Sequence, residues 1–436
     1  MGDKVQRRRT LASGRPEGYG RTMREHGVGA PELLGRLERR QSSEPDVHAG
    51  RLFGLVYPSG RSDLEDLIVE VNRRYLFGNA LNPFRFPELA ALEAEVVSAV
   101  ASLLHRPETG QRAGAMTSGG TESILLSMLV HRERARAGGI ELPQILAPAS
   151  AHPAYAKAAH YLGLELVQIP LDGAWRADAE AARSLVTART AVIVASAFSY
   201  PYGIMDPVEE LAAIAAGAGA GCHVDACIGA FVLPFLKRLG HDVPPFDFSV
   251  PGVTTMSADV HKYGYVPKGA SVVLHRADDW FDLQGFLYGK WGAGLYGSAA
   301  MAGARPASPI ACSWAVLNYL GLEGYTEIVS GLAEITARLR SFLEGLAGVE
   351  IVGDPIGPVL AVRSDPDLDL HAVADAMADR RWYLNRNLDP RGLQVMLSPG
   401  HASVMDEFMA DLTTSLAAVR GGASAGRRHD GDARYS

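Results

Sequence analysis

Apolar residues recur at helical spacing through "FPELAALEAEVVSAVASLLH" and again through "TESILLSMLVHRERARA", where Thr121 and Glu122 stand at the start, as helix N-termini favour. Between and after such stretches lie short, almost wholly apolar runs of strand length: "QILAPAS", "LELVQIP", "AVIVASAF", "CHVDAC", "VTTMSAD" and "SVVLHR". Helical segments such as "HPAYAKAAHYLG" and "PVEELAAIAAGAG" separate several of them. Strands apolar on both faces, alternating with helices, predict a mostly parallel sheet covered on both sides, in an α/β domain over residues 88–305. A helical stretch from Ser313 to Leu346 follows, and then "VEIVG", "VLAVRS", "DLHAVADAMADRR", "LQVMLS" and "VMDEFMADLTTSLAAV". These predict a smaller α+β domain over residues 306–418.

Both ends read differently. Residues 1–45 and 419–436 are rich in charge, Gly and Ser, and are expected to be disordered tails because they bury too little apolar surface to offset the entropy of ordering. The basic N-terminus lacks the apolar core of a signal peptide, and Gln6 breaks the spacing of a myristoylation signal. No run approaches the roughly 18 uninterrupted apolar residues of a transmembrane helix.

Composition narrows the function further. The 42 basic and 49 acidic residues give a net charge of −7 without a long basic run in the body, so nucleic acid is not an expected partner. Three cysteines, at 222, 227 and 312, are too few and too irregularly placed for a disulfide framework or a zinc site; a reducing, cytoplasmic setting and no metal are expected.

In open α/β sheets, ligands collect at the carboxyl ends of the strands. Four groups fall there. "TSGGTES" is either a structural turn or a phosphate cradle, its glycines letting backbone N–H groups and a helix N-terminus approach an anion. Asp225, inside an apolar strand, either caps a neighbouring helix or faces a positively charged ligand atom, since a buried carboxylate is otherwise costly. His152 is a helix cap or a ligand contact. Lys262 follows "VTTMSAD", and a desolvated lysine becomes nucleophilic toward carbonyls. Taken together, a cradle, an imidazole, a buried aspartate and a strand-end lysine are the parts needed to hold pyridoxal 5'-phosphate.

The segments "TSGGTESILL", "AHPAYAKAAHYLG", "HVDAC", "SADVHKYGYVPKGASVVLHR" and "YGSAAMAGARP" resemble those of sphingosine-1-phosphate lyases, fold-type-I pyridoxal-phosphate enzymes related to the group II decarboxylases. The similarity runs from about Arg51 to about Leu416. It implies a seven-stranded-type sheet, Lys262 as the Schiff-base lysine, and His261 with the Gly120–Thr121 backbone and hydroxyl as phosphate ligands. His152 would stack on the cofactor ring and Asp225 would meet its pyridine nitrogen. It further implies a homodimer with shared active sites, in which Ser298 reaches the phosphate of the neighbouring subunit and residues 46–87 contribute to the site and the interface. Lys268 and Tyr57 align with residues that bind the substrate's phosphate. Asn82 stands where the lyases usually carry a phosphate-binding histidine. Arg305 in "AGARP" is expected as a carboxylate or phosphate clamp, with a purely structural ion pair as the alternative.

The expected reaction is retro-aldol cleavage of a phosphorylated 3-hydroxy-2-amino compound to an aldehyde and phosphoethanolamine. Decarboxylation of an L-amino acid and a biosynthetic, bond-forming aldolase use the same cofactor parts and stay open. A catalytically silent scaffold has no chemical need for Lys262, Asp225 and the cradle together.

Overall fold

A computed structural model describes Met23, residues 25–108 and residues 114–422. The expected tails therefore fall largely outside the described residues. Within the N-terminal one, however, helix α1 (Ala30–Gln41) forms, opened by Pro31 and carrying a Glu32–Arg36 ion pair one turn apart. None of its residues is buried. The described residues up to Asp46 make one unit and those from Val47 onward a second.

In the second unit, α2 (Ser62–Tyr75) and α3 (Pro87–Leu103) lead into β1 (Gly114–Thr117) and α4 (Gly120–Ala137). Strand and helix then alternate: β2 (Gln144–Pro148), α5 (Ala154–Leu162), β3 (Glu165–Ile169), α6 (Ala179–Leu185), β4 (Thr190–Ser196), α7 (Val208–Gly217), β5 (Gly221–Asp225), α8 (Leu233–Arg238), β6 (Val253–Ala258) and β7 (Ser271–His275). These seven strands form one sheet in the order β1-β7-β6-β5-β4-β2-β3. Only β7 runs against its neighbours β6 and β1. Every residue of β2, β4, β5 and β7 is buried, as expected of Val-, Ile- and Ala-rich strands covered on both faces. The parallel strands therefore end at one edge, and the loops after β1, β2, β4, β5 and β6 meet there.

The β5–β6 pairing contains a register shift. Cys222 lies opposite Val253, but His223 lies opposite Thr255 and Asp225 opposite Ser257. Thr254 is the extra residue, and its hydroxyl donates to Cys222 O at 2.8 Å while accepting from Cys222 N at 3.1 Å.

After β7 come α9 (Asp278–Asp282) and a hairpin, β8 (Phe286–Tyr288) with β9 (Tyr296–Ser298). Helix α10 (Ala307–Glu344) is broken at Gly321, whose φ of 55° and ψ of −171° suit glycine. A second sheet is antiparallel throughout, ordered β10-β11-β13-β12, from β10 (Val349–Ile351), β11 (Val359–Ser364), β12 (Asn385–Leu388) and β13 (Arg391–Met396). Helices α11 (Leu370–Asp379) and α12 (Met405–Arg420) complete this region. Of the elements that the apolar pattern does not announce, β1, β8, β9, β12, α6, α8 and α9 have seven residues or fewer, too few for a period to register, whereas α1 and α2, of 12 and 14 residues, lie before the regular alternation begins.

Candidate active site

The sheet edge encloses a cavity of about 290 Å³ lined by residues from all five converging loops. Ser118, Gly119, Gly120 and Thr121 come from the β1–α4 turn, His152 from the loop after β2, and Phe198 and Tyr200 from the loop after β4. Asp225 and Cys227 come from the end of β5, and Asp259, His261 and Lys262 from the end of β6. Topology thus brings together Gly120, Thr121, His152, Asp225, His261 and Lys262, which are scattered along the sequence.

The cradle's glycine is required by contact. A Cβ on Gly120 would stand 2.7 Å from Cys227 Sγ and 2.9 Å from both carboxylate oxygens of Asp259. Helix α4 begins at this point, and the first N–H groups of a helix have no intrahelical acceptor, so the turn offers an anion donors backed by the helix dipole. Glu122 stabilises the turn: Oε2 accepts from Ser118 N at 2.8 Å and Ser118 Oγ at 2.6 Å, and Oε1 accepts from Met301 N at 2.8 Å.

At the other side of the cavity, Asp225 Oδ1 accepts from Cys227 N and from the Ser257 hydroxyl, each at 3.1 Å. His152 Nδ1 accepts from Ala154 N at 3.1 Å, which fixes the ring at the start of α5. Burial, partly offset by the Asp225 charge, lowers the pKa of His152, and burial pushes His261 down to about 4 despite nearby Asp259. Both imidazoles are neutral at pH 7. Lys262 Nζ lies 3.0 Å from Asp259 Oδ2.

This donor set fits pyridoxal phosphate: backbone donors that only glycine leaves room for, a primary amine, a carboxylate and a flat neutral imidazole around one cavity. Among the described residues, no group of His, Cys, Asp or Glu is arranged to hold a metal ion.

Lys268 lies beside the cavity. Its Nζ donates to His261 O at 3.2 Å and sits 4.5 Å from the centre of the Tyr57 ring. The surrounding protein first, and then the positive charge of Lys262, push its pKa down to about 8. The Tyr57 hydroxyl donates to Met396 Sδ at 3.0 Å, and its ring packs edge-on to Tyr263.

Three expected site residues lie elsewhere in the chain. Arg305, expected as an anion clamp, is instead held in a bidentate ion pair with Glu93, Nη1 to Oε1 at 2.7 Å and Nη2 to Oε2 at 2.9 Å. Further bonds to Met116 O and Ala80 O engage the same guanidinium, so its donors are spent on structure. Ser298 donates to Ala300 O and Ala302 O, and together with Arg305 lines a separate cavity of about 630 Å³. Asn82 is exposed, and its side-chain oxygen caps a turn by accepting from Phe84 N and Arg85 N.

Sequence reasoning missed Asp259 and Ser257. Asp259 was visible as an acid three residues before Lys262 in an otherwise apolar run, whereas the pairing of Ser257 with Asp225 depends on the register shift.

Residues 78–363 match the family described as "Pyridoxal-dependent decarboxylase conserved domain". Over 405 residues the chain is 37% identical to mouse sphingosine-1-phosphate lyase 1, covering 92% of this chain and 70% of that protein. The sphingosine-1-phosphate lyase of Arabidopsis thaliana is 38% identical over 395 residues, covering 89% and 72%. The solved sphingosine-1-phosphate lyase of Burkholderia pseudomallei superposes with a TM-score of 0.88 at 36% identity, over 93% of this chain and 94% of that one. A glutamate decarboxylase of Lactobacillus brevis shares the fold at 22% identity, with a TM-score of 0.81 over 93% and 96%. The chain therefore belongs to the pyridoxal-dependent decarboxylase family, in its sphingosine-1-phosphate lyase branch, and is a pyridoxal-phosphate-dependent lyase of fold type I.

Proposed function

We propose that the protein cleaves the Cα–Cβ bond of a phosphorylated 3-hydroxy-2-amino compound, releasing an aldehyde and phosphoethanolamine. The observation that carries this reading is Lys268, a cation set beside the cofactor cavity against Tyr57 and near Lys262, where it would hold a second anion. A general amino-acid decarboxylase needs no second phosphate site. The pairing of Arg305 with Glu93, which engages the clamp that decarboxylation would use, also favours the lyase reading.

Pyridoxal phosphate bound in the cavity supplies an electron sink for a bond broken at the carbon that bears the substrate amine. Lys262 would hold the cofactor through its Nζ and give way to that amine. The backbone of Gly119–Thr121, the Thr121 hydroxyl and His261 would bind the cofactor phosphate, His152 would flank the ring, and the Asp225 carboxylate would keep a proton on the pyridine nitrogen. Lys268 and Tyr57 would anchor the substrate phosphate, setting which bond stands perpendicular to the ring.

We further infer a homodimer with shared sites. Exposed apolar residues on segments near Asn82 and Ser298, among them Phe77, Phe84, Leu287, Trp291 and Leu295, support it, because soluble monomers seldom leave such clusters uncovered. In that assembly Ser298 and Asn82 would serve the neighbouring subunit's site. Three buried free cysteines fit a reducing, cytoplasmic setting; among the described residues, no helix is long and apolar enough to cross a membrane.

Product analysis tests the reading. Incubating the holoenzyme with a phosphorylated long-chain 3-hydroxy-2-amino base should give aldehyde and phosphoethanolamine, with neither from Lys262→Ala. Carbon dioxide from an L-amino acid, without those products, would replace lyase activity by decarboxylation.

A further inference from the structure

Beside Asp225, a closed set of polar side chains lies outside the cavity lining. His223, two residues earlier on β5, points to the same face of the sheet and is fully buried. Its Nδ1 is 2.9 Å from both Ser127 Oγ, on α4, and Thr255 Oγ1, on β6; those two hydroxyls are 2.8 Å apart. Its Nε2 is 3.4 Å from Ser257 Oγ, and Ser257 Oγ is in turn 3.1 Å from Asp225 Oδ1. The Cys227 thiol also donates to Ser257 Oγ, at 3.3 Å. The Tyr155 ring packs edge-on to the imidazole at 6.0 Å.

Proton counting orients the chain. Burial pushes His223 down to about 4, so the ring is neutral at pH 7, with one nitrogen donating and the other accepting. A proton on Nδ1 would make Nε2 an acceptor for the Ser257 hydroxyl, drawing that proton away from Asp225. With the proton on Nε2, the ring donates to Ser257 Oγ, and the Ser257 proton is free to point at the carboxylate. Nδ1 then accepts from Ser127 or Thr255, and one of those hydroxyls donates to the other. Only this arrangement gives an ionised Asp225 its full set of donors.

We propose that His223 is a positioning residue for Asp225: its Nε2–H fixes Ser257 so that the serine hydroxyl donates to Asp225 Oδ1, holding the carboxylate as an oriented anion toward the cofactor. The proposal rests on the role given to Asp225 above, and the experiments separate the two.

The side chains of Gln and Asn divide the imidazole's functions. The amide of Gln reaches the position of Nε2 and still donates to Ser257, whereas that of Asn reaches only the position of Nδ1. Cofactor affinity, read by titrating the cofactor-free protein with pyridoxal phosphate, should stay within about threefold of wild type in His223→Gln, and fall about tenfold in His223→Asn and in Ser257→Ala, the loss expected for a hydrogen bond to a charged group. The Asn and Ala changes combined should cost no more than either alone, because they break the same chain. Nitrogen-15 NMR of ring-labelled protein should report His223 as the neutral Nε2–H form at pH 7, assigned by its loss in His223→Gln. Equal weakening by Gln and Asn, additive losses, or an Nδ1–H form would overturn the proposal. Unchanged affinity in Asp225→Ala would instead sink the role given to Asp225, whatever tautomer His223 adopts.

Discussion

Asp259 Oδ2 stands 3.0 Å from Lys262 Nζ, three residues along the chain, and 3.6 Å from His261 Nε2. Its other oxygen, Oδ1, is buried without a hydrogen-bond partner among the described residues. Burial alone would raise this carboxyl's pKa, but the charge of Lys262, with smaller contributions from its neighbours His261 and Ser271, outweighs it and holds the group below its ordinary value. The ionised carboxylate, 3.0 Å away, in turn favours the charged form of the lysine. In Asp259→Asn, the pH midpoint for the rate at which cofactor-free protein captures pyridoxal phosphate, followed by absorbance, should move down. An unmoved midpoint would show that Asp259 does not set the charge of Lys262.

Lys268 titrates where enzymes are commonly assayed. With a pKa pushed down to about 8, it is charged below that value and loses its charge as the pH rises through it. KM for a phosphorylated substrate should therefore rise above pH 8, while the cofactor spectrum is unaffected. Lys268→Ala should raise KM about tenfold or more at pH 7, remove this pH dependence and leave cofactor absorbance intact. Bleaching of the cofactor in that variant would place Lys268 in the cofactor site instead.

Gly120→Ala tests the cradle by size alone. The new methyl would stand within 3 Å of Cys227 Sγ and the Asp259 carboxylate, so either the turn or the lysine's partner must shift. Cofactor retention through gel filtration should fall at least about tenfold, with the circular dichroism of the protein preserved. Retention equal to that of wild type would mean that the turn relaxes without cost.

Acid should weaken the fold through its buried histidines. Burial lowers His131 to about 3, and His223 and His275 to about 4, against about 6.5 in an unfolded chain. Folded values below unfolded ones mean that this stability is fully present above pH 6.5 and is lost as the pH falls through about 4. Each histidine contributes a slope of about 1.4 kcal/mol per pH unit in that window. Urea unfolding midpoints should fall steadily from pH 6.5 to pH 4.5, and a flat profile there would contradict the buried, neutral assignment.

Much of the fold was legible because its signals are local. The apolar runs of β2 to β7 and the helical spacing of α3, α4 and α7 span enough residues to reveal their periods, and Lys262, Asp225 and the glycine turn stand out as polar breaks in apolar surroundings. The sequence left Arg305 open between an anion clamp and a structural ion pair because its partner, Glu93, lies 212 residues earlier and no local pattern links them. The same limit hid Ser257: an isolated serine in a strand carries no mark until its neighbour across the sheet is known. Helix α1 was overlooked although Leu33, Leu34 and Leu37 recur at helical spacing, because the charge around these exposed leucines made the segment read as a tail.

Thr254 makes the surroundings of Asp225 a matter of strand register as well as residue identity. Were the Cys222–Val253 pairing continued residue by residue, with Thr254 paired instead of bulged, the side chain opposite Asp225 would be the thioether of Met256, and Ser257 would pass to the other face of the sheet. Pairing Thr254 in the ladder would thus replace a hydroxyl donor by an apolar group without altering any residue, whereas deleting it would straighten β6 and leave Ser257 opposite Asp225. Variation in this part of the family is better compared by aligning strand registers than by scoring substitutions column by column.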